Sequence, residues 1–488
     1  MTELARRPDI ASQRRGTRRS GTAPLVIVTD ALPGVHAEAP TDGLVDDPLM
    51  GALATVNRQM DGTWIGRGAV VGSEPDPGRR RPVRLDPEQA GAHHDGHVPR
   101  TIWSVYHDLG TARFEQRWRD GFRAVNATYA AAVVEEAARG AMVWIQDPRL
   151  QLVPGLVRRK RPDLRIGLHL SIPFPAADLF LRLPMREELL RSLLCTDLLG
   201  FQTAGAAENF LRLSHEATIR PPSVSVFPTA ADTPTITALA ARTAVRERAQ
   251  QLRQQLGHPA TVLLSINQPD ETQGIQRRLH WFGDMLDQGH LAADEVALVQ
   301  IVLAEPGSGT ASSDIAGAAA RVNGRHAAVG RPCVHYLLAR PDLAERVALY
   351  LAADVMMATP LREGATTAAL EFAAAARPDS ALILSEFSGS ASVLPGAHLV
   401  NPHDDDAVRN QLRSALHGPE ADRVARMAQL RAAVREYDSH TWAGQFLATL
   451  AGIAPGVAGA DRPHWSPRQF LHDRRQRRPG ARTLRQAP

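Results

Sequence analysis

Residues 142–175 read MVWIQDPRLQLVPGLVRRKRPDLRIGLHLSIPFP. The runs at 142–145 and 165–170 are short and apolar, as strands buried on both faces of a parallel sheet read. Between them, residues 155–161 carry a helical pattern, and Ile172-Pro173-Phe174-Pro175 stops the second strand. A strand, a helix and a second strand in so short a span form a βαβ unit, so the chain is an α/β protein with a parallel sheet.

The same alternation extends outward. Residues 24–29 (PLVIVT) form the expected first strand, running into an Asp-Ala-Leu-Pro-Gly loop. Residues 71–96, rich in Pro, Gly, His and Arg, are expected to be surface loops. Helical spacing then places Phe122, Val125, Tyr129, Val133 and Ala137 on one face of a helix over 114–139. Beyond a Pro- and Thr-rich stretch at 221–237, with a strand at 224–227, a helix is expected over 238–256. Apolar runs follow at 262–266, 296–303, 334–338, 355–358, 381–384 and 398–400, separated by helical segments. A last helix, over 438–450, places Trp442, Phe446 and Leu450 on one face. The expected organisation is two Rossmann-like doubly wound parallel-sheet domains, 23–237 and 238–437, with a terminal helical segment at 438–455.

Charge is unevenly distributed along the 488 residues. Six Arg stand against Glu3 and Asp9 in residues 1–22, and eight Arg against Asp461 and Asp473 in residues 461–488. The two ends thus carry +10 of a net +4 and leave the body at −6. Residues 1–22 and 456–488 are read as solvated, disordered basic tails, and the acidic body argues against a nucleic-acid groove. Lys160 is the sole lysine, which excludes a Walker-type phosphate loop. Cys195 and Cys333 fit reduced thiols rather than a disulfide framework, and no apolar run reaches membrane-spanning length, so a soluble cytoplasmic protein is expected. His93, His94 and His97 invite a metal reading, but no Cys or acidic triad stands nearby in sequence. A polar loop is the preferred reading, and no metal or cofactor is expected.

Ordered motifs carry a family resemblance over residues 24–450: VTDALP, DGTWIG at 61–66, TIWSVYHDL at 101–109, WIQD at 144–147, LHLSIPFP, DLLGFQT at 197–203, ENFLRL at 208–213, ADVMMATPLREG at 353–364, LSEFSGSA at 384–391 and VNPHD at 400–404. Together they resemble the trehalose-6-phosphate synthases, retaining glycosyltransferases of GT-B fold that join glucose from a nucleotide sugar to glucose 6-phosphate. The resemblance implies a cleft between two Rossmann-like domains, and a last helix that crosses back onto the first domain. It implies an acceptor pocket at Trp64, Trp103, Asp147 and His94, where His94 stands at a tyrosine position of the family. The two Trp are equally open to a reading as core packing, and Asp147 to one as a strand-end cap. On the donor side it implies Gly43 near the phosphates, Glu363 and Gly364 at a helix N-terminus, and Glu371 on the ribose, with a surface helix Glu as the alternative for Glu371.

Departures from the family pattern bear on activity. Its Arg and Lys against the donor diphosphate are Gln268 and Gln273 here, and its donor-contacting His is Ser171, with His169 two residues away. An Arg at the end of the first strand is Ala31, another aligns at Pro306, and the Gly preceding Gly43 is Asp42. One positioned donor on transition-state charge is commonly worth about 10²–10³ in rate, so the loss of both cations is severe. The resemblance therefore leaves two readings. A non-catalytic or regulatory paralogue, homo-oligomeric or paired with an active synthase, is marginally preferred to an active glycosyltransferase or pseudo-glycosyltransferase with altered donor or acceptor. In either reading, nucleotide sugar and sugar phosphate are the candidate ligands.

Overall fold

The computed structural model describes residues 23–32, 49–68, 79–217, 220–303 and 310–453. The first sheet comprises β1 (Ala23–Ala31), β2 (Thr63–Arg67), β3 (Arg79–Val83), β4 (Ala137–Ile145), β5 (Arg165–Leu170), β6 (Leu198–Phe201) and β7 (Ser223–Val226). Its order is β3-β2-β1-β4-β5-β6-β7, parallel throughout. The second comprises β8 (Thr261–Asn267), β9 (Val296–Val302), β10 (Val334–Leu338), β11 (Val355–Ala358), β12 (Ala381–Ser385) and β13 (His398–Val400). It too is parallel, in the order β10-β9-β8-β11-β12-β13. Both sheets are doubly wound, and this is the GT-B architecture.

Side chains alternate along each strand and so feed two core layers. In β1, Val26 and Val28 join the layer built on the helix Gln116–Glu136, while Leu25 and Ile27 join Trp64, Trp144, Phe227 and the last helix on the opposite face. That last helix, Ser439–Gly452, is capped by the Asp438 carboxylate on the Thr441 amide and buries Trp442, Phe446 and Leu450. Phe446 stacks on Trp144 at 4.3 Å between ring centroids, and the Trp442 indole donates to the Phe227 carbonyl. Gly167 on β5 and Gly200 on β6 make this approach possible, because a Cβ at either would sit 3.0 Å from the Phe446 ring.

Three expectations about elements need correction. Residues 71–96 are not all loop: Arg79–Val83 is an edge strand, Pro87–Gly91 a helix capped by Asp86, and Ala92–Trp103 a π-helix. An Arg-rich edge strand is stable because Arg79 and Arg81 pair with Glu135 and Glu136 at the end of a neighbouring helix. The helix expected over 238–256 is two helices, Thr233–Ala241 and Thr243–Gln255, separated where Arg242 turns extended. The helix expected over 114–139 ends at Glu136, because Ala137–Arg139 already belong to β4.

Phe446→Ala should remove about 3–5 kcal/mol from the sheet it covers. Denaturant unfolding followed by tryptophan fluorescence should record the loss, and Gly200→Val should lower the same transition by pushing the helix away.

Candidate functional site

In doubly wound sheets ligands bind outside the carboxyl ends of the strands, where the strand order reverses. Here the reversals lie between β1 and β4 and between β8 and β11. Both places hold dense polar clusters.

At the first, Asp30 ends β1, fully buried. Its carboxylate accepts from His94 Nε2 at 2.9 and 3.1 Å, from Arg67 at 3.3 Å and from Arg149 at 3.4 Å. Burial alone would raise its pKa, but Arg149 and the His94 hydrogen bond prevail and hold the carboxyl well below the usual range. Asp147 follows β4 and is also buried; its Oδ1 caps the Arg149 amide at 2.7 Å and Oδ2 accepts from the Arg149 guanidinium at 3.4 Å. Burial, opposed by Arg149 and reinforced by Asp30, pushes its carboxyl up to about 6. His94 binds the Ala90 carbonyl through Nδ1 at 2.9 Å. Burial opposes its charge, but Asp30 wins and raises its pKa.

The histidines at 93–97 are not a polar loop. They sit on the π-helix, and His93 and His97 are buried against Phe122, His93 stacked at 5.3 Å between centroids. Among the described residues neither ring nitrogen of either one has a hydrogen-bond partner. Burial drives both imidazoles to the neutral form, that of His97 to about 4.

At the second reversal, Asn267 ends β8 and donates to Gln273, whose amide donates to Glu363 at 3.0 Å. Arg278, buried on the helix Ile275–Asp287, reaches into the same cluster. Its guanidinium bonds Asn267, Gln300, Thr359 and the Gln273 carbonyl through all three nitrogens. Glu363 also accepts from Thr366, and burial raises its carboxyl to about 7. Asp270, raised to about 6 by burial, accepts from Thr272. Two acids of raised pKa, Gln273 and the Arg278 guanidinium therefore share this cluster. Gln268 stands half-buried just past the end of β8.

Ser171 and Gly364 meet directly. A Cβ on Gly364 would lie 1.9 Å from the Ser171 carbonyl oxygen, and one on Gly389 equally close to the Gly364 carbonyl, so the two sheets' loops touch backbone to backbone. Only glycine permits that seam. Trp103 is half-buried and stacked on His107 at 3.9 Å, and Arg362 of the second lobe helps burial depress the His107 imidazole to about 4. This ring pair therefore stands where the two lobes face each other.

Other expected residues lie elsewhere. Trp64 is fully buried, donates to Thr29 Oγ1 at 2.7 Å and packs in the core under the last helix, the alternative kept open for it. His169 offers no substitute for Ser171: it is buried edge-on to Trp442 and bonded to Gln146 and the Phe227 carbonyl. Glu371 is buried rather than on the surface, and its carboxylate is held by Arg346 through two bonds of 3.0 and 3.1 Å and by the Tyr350 hydroxyl at 2.7 Å. A carboxylate so occupied has little capacity left for a ribose diol. Of the arginines near His94 in sequence, Arg79 and Arg81 lie on the outer edge strand, and Arg100 binds the Asp95 carbonyl. Gly43, Asp42 and Pro306 fall outside the described residues.

Sequence reading missed Arg67, Arg149, Arg278 and Arg346. The first two were findable: Arg67 directly follows DGTWIG and closes β2, and Arg149 lies two residues past Asp147 in the short 3-10 turn after β4. Arg278 and Arg346 look like ordinary helix-surface arginines until the tertiary packing buries them.

Comparison with known proteins agrees with this geometry. Residues 71–452 match the model of glycosyltransferase family 20. The chain is 36% identical to a trehalose-6-phosphate synthase of Mycolicibacterium smegmatis, over 91% of this chain and 96% of the relative. It is 37% identical to one of Mycobacterium avium, over 90% and 98%. A structure of the Escherichia coli protein bound with UDP-2-fluoro glucose superposes with TM-score 0.79 at 25% identity, covering 88% of this chain and all of that one. A Burkholderia xenovorans synthase in complex with glucose 6-phosphate gives 0.79 at 26%, with the same coverage.

The raised pKa of Glu363 has a signed consequence for stability. The folded protein retains a proton there that the unfolded chain releases above about pH 4.5, so this contribution is present at low pH and is lost as pH rises through about 7. Glu363→Gln should therefore raise Tm by about 1–3 °C at pH 8 and change it little at pH 5, as measured by calorimetry.

Proposed function

Because the chain belongs to glycosyltransferase family 20, we propose that it is a trehalose-6-phosphate-synthase-like protein that binds a sugar phosphate at the first crevice without turning over a nucleotide sugar, and so acts as a non-catalytic or regulatory paralogue. One observation carries the reading: Gln273 is hydrogen-bonded to Glu363 and Asn267 on the ground where the leaving diphosphate of a donor would need cations. Retaining transfer develops negative charge on that diphosphate, and positioned donors, cations above all, lower its barrier. Arg278, the guanidinium bonded into this cluster, is buried with its donors already committed to neutral oxygens. Glu371 is likewise committed to Arg346.

The acceptor side differs. Arg67 and Arg149 stand at the crevice rim, roughly one-fifth exposed, beside Asp30 and Asp147. They supply guanidinium groups near the place where Ala31 lacks one. Asp147 remains able to accept sugar hydroxyls, and Trp103 with His107 offers an aromatic wall. This rebuilt acceptor side also favours a second reading, an active glycosyltransferase or pseudo-glycosyltransferase whose donor leaves without two neutralising cations. In both readings Ser171, Gln268 and Gln273 are degenerate positions.

Purified protein incubated with UDP- or GDP-glucose and glucose 6-phosphate separates the two. The proposal expects calorimetric binding of glucose 6-phosphate and no nucleotide release, whereas turnover above about 1 s⁻¹ would overturn it. Arg149→Ala should weaken glucose 6-phosphate binding by about 10-fold or more, since a charge-assisted hydrogen bond is worth on the order of 1.5–3 kcal/mol. Gln268→Arg with Gln273→Lys should raise UDP affinity in the same assay.

A further inference from the structure

The π-helix raises a question that sugar-phosphate binding does not answer. His93 is fully buried, and neither of its ring nitrogens has a partner among the described residues. A buried imidazole must leave one N–H and one lone pair unsatisfied, a cost that native proteins rarely carry without a reason. Its neighbour His94 binds a backbone carbonyl through Nδ1, which aims Nε2 at the Asp30 carboxylate. One ligand-capable atom from each of Asp30, His93 and His94 lies within 4.8 Å of the others. We propose that Asp30, His93 and His94 form a binding site for a divalent transition-metal ion, with two imidazole nitrogens and one carboxylate oxygen as ligands.

The donor set selects the ion. Two imidazoles with one carboxylate suit Zn²⁺, Co²⁺ or Ni²⁺ and disfavour Mg²⁺ and Ca²⁺, which prefer oxygen ligands. Metal–ligand bonds of about 2.0–2.2 Å place tetrahedral ligand atoms roughly 3.3 Å apart, so binding requires the trio to contract by up to about 1.5 Å. The surroundings supply the outer shell. The Ala90 carbonyl fixes the His94 ring, as backbone carbonyls commonly do for metal-ligating histidines. Arg67 and Arg149 both hold Oδ2 of Asp30 while His94 makes its shorter contact to Oδ1, so the carboxylate offers one oxygen to the ion and keeps the other on the guanidinium groups. The nearby arginines oppose a dication. Asp30 and Asp147 offset them, and the ion takes the place of the hydrogen now shared between His94 and Asp30. Three protein ligands leave at least one position open to water or an oxyanion. A wide helical turn that sets two adjacent histidines on one acid is the kind of irregularity that π-helices provide at functional sites.

The test uses the full-length, untagged chain, stripped with chelator, loaded with Zn²⁺ or Co²⁺, and passed through gel filtration before elemental analysis. Near-stoichiometric retention is expected, with a visible ligand-field band for Co²⁺ and a higher Tm. His93→Phe keeps the stack on Phe122 and should reduce metal affinity at least ~100-fold, beyond the ~10–100-fold that losing an outer-shell partner alone costs. His94→Gln should do the same should the first variant fold poorly. His97→Phe, which alters an equally buried imidazole outside the trio, should retain the metal. Absence of retention in the parent chain, retention undiminished in His93→Phe and His94→Gln, or equal loss in His97→Phe would overturn the site.

Discussion

The molecule is organised by the requirement that a charge placed at the buried carboxyl end of a parallel sheet be neutralised on the spot. Asp30 could not remain ionised at the end of β1 without a cation, because an unpaired carboxylate in that environment costs several kcal/mol. Arg67, Arg149 and His94 converge on it from three separate elements, and in doing so they pin β2, the turn after β4 and the π-helix to one point. Buried acids elsewhere in the molecule are paired too, Glu371 with Arg346 and Asp197 with Arg158. Where cations are scarce, as around Glu363, the acid instead gathers neutral donors and its affinity for a proton rises.

These two ways of accommodating acids divide the crevices. The first keeps mobile-length cations at a rim that solvent reaches, and an arriving anion can recruit them by exchanging one oxyanion for another. The second is a closed set of amide and hydroxyl contacts around one buried guanidinium, that of Arg278. An anion entering there must break Gln273 from Glu363, and the Arg278 guanidinium beside them is already bonded to Asn267, Gln300, Thr359 and the Gln273 carbonyl. The two sheets and their order match those of the family, while the side chains gathered at each reversal set the different electrostatics of the two crevices.

The sheets were legible from sequence because strands buried on both faces are written as uninterrupted apolar runs. The strands at 165–170, 334–338, 355–358 and 398–400 were placed with the same ends that the structure shows. Three strands of the first sheet were not placed: Thr63–Arg67 and Leu198–Phe201 are short and hold few apolar residues, and the outward charges of edge strand Arg79–Val83 make sense only with the distant Glu135 and Glu136. Asp147, Trp103, Gln273, Glu363 and Gly364, singled out from the sequence, all stand at the reversals or the seam. The electrostatics of the site were not legible, since Arg149 and Asp30 are separated by 119 residues and Arg67 and Asp30 by 37. No local pattern announces a pair that exists only after the sheet has formed. Trp64 and Glu371 show the converse: their motifs are in place, and tertiary packing has given their side chains internal partners.

The last helix has a consequence for how the chain matures. Its Trp442 closes on the carbonyl of Phe227, 215 residues earlier, and its apolar face completes the layer that begins with Leu25 and Ile27. During synthesis the N-terminal lobe therefore waits with one flank of its sheet uncovered while the entire second lobe is made, roughly 10–40 s at about 5–20 residues per second. Throughout that interval the glycine-smoothed surface around Gly167 and Gly200 is a sticky landing for any nascent helix, and the ribosome-bound chain is a natural client for chaperones until its final turns arrive.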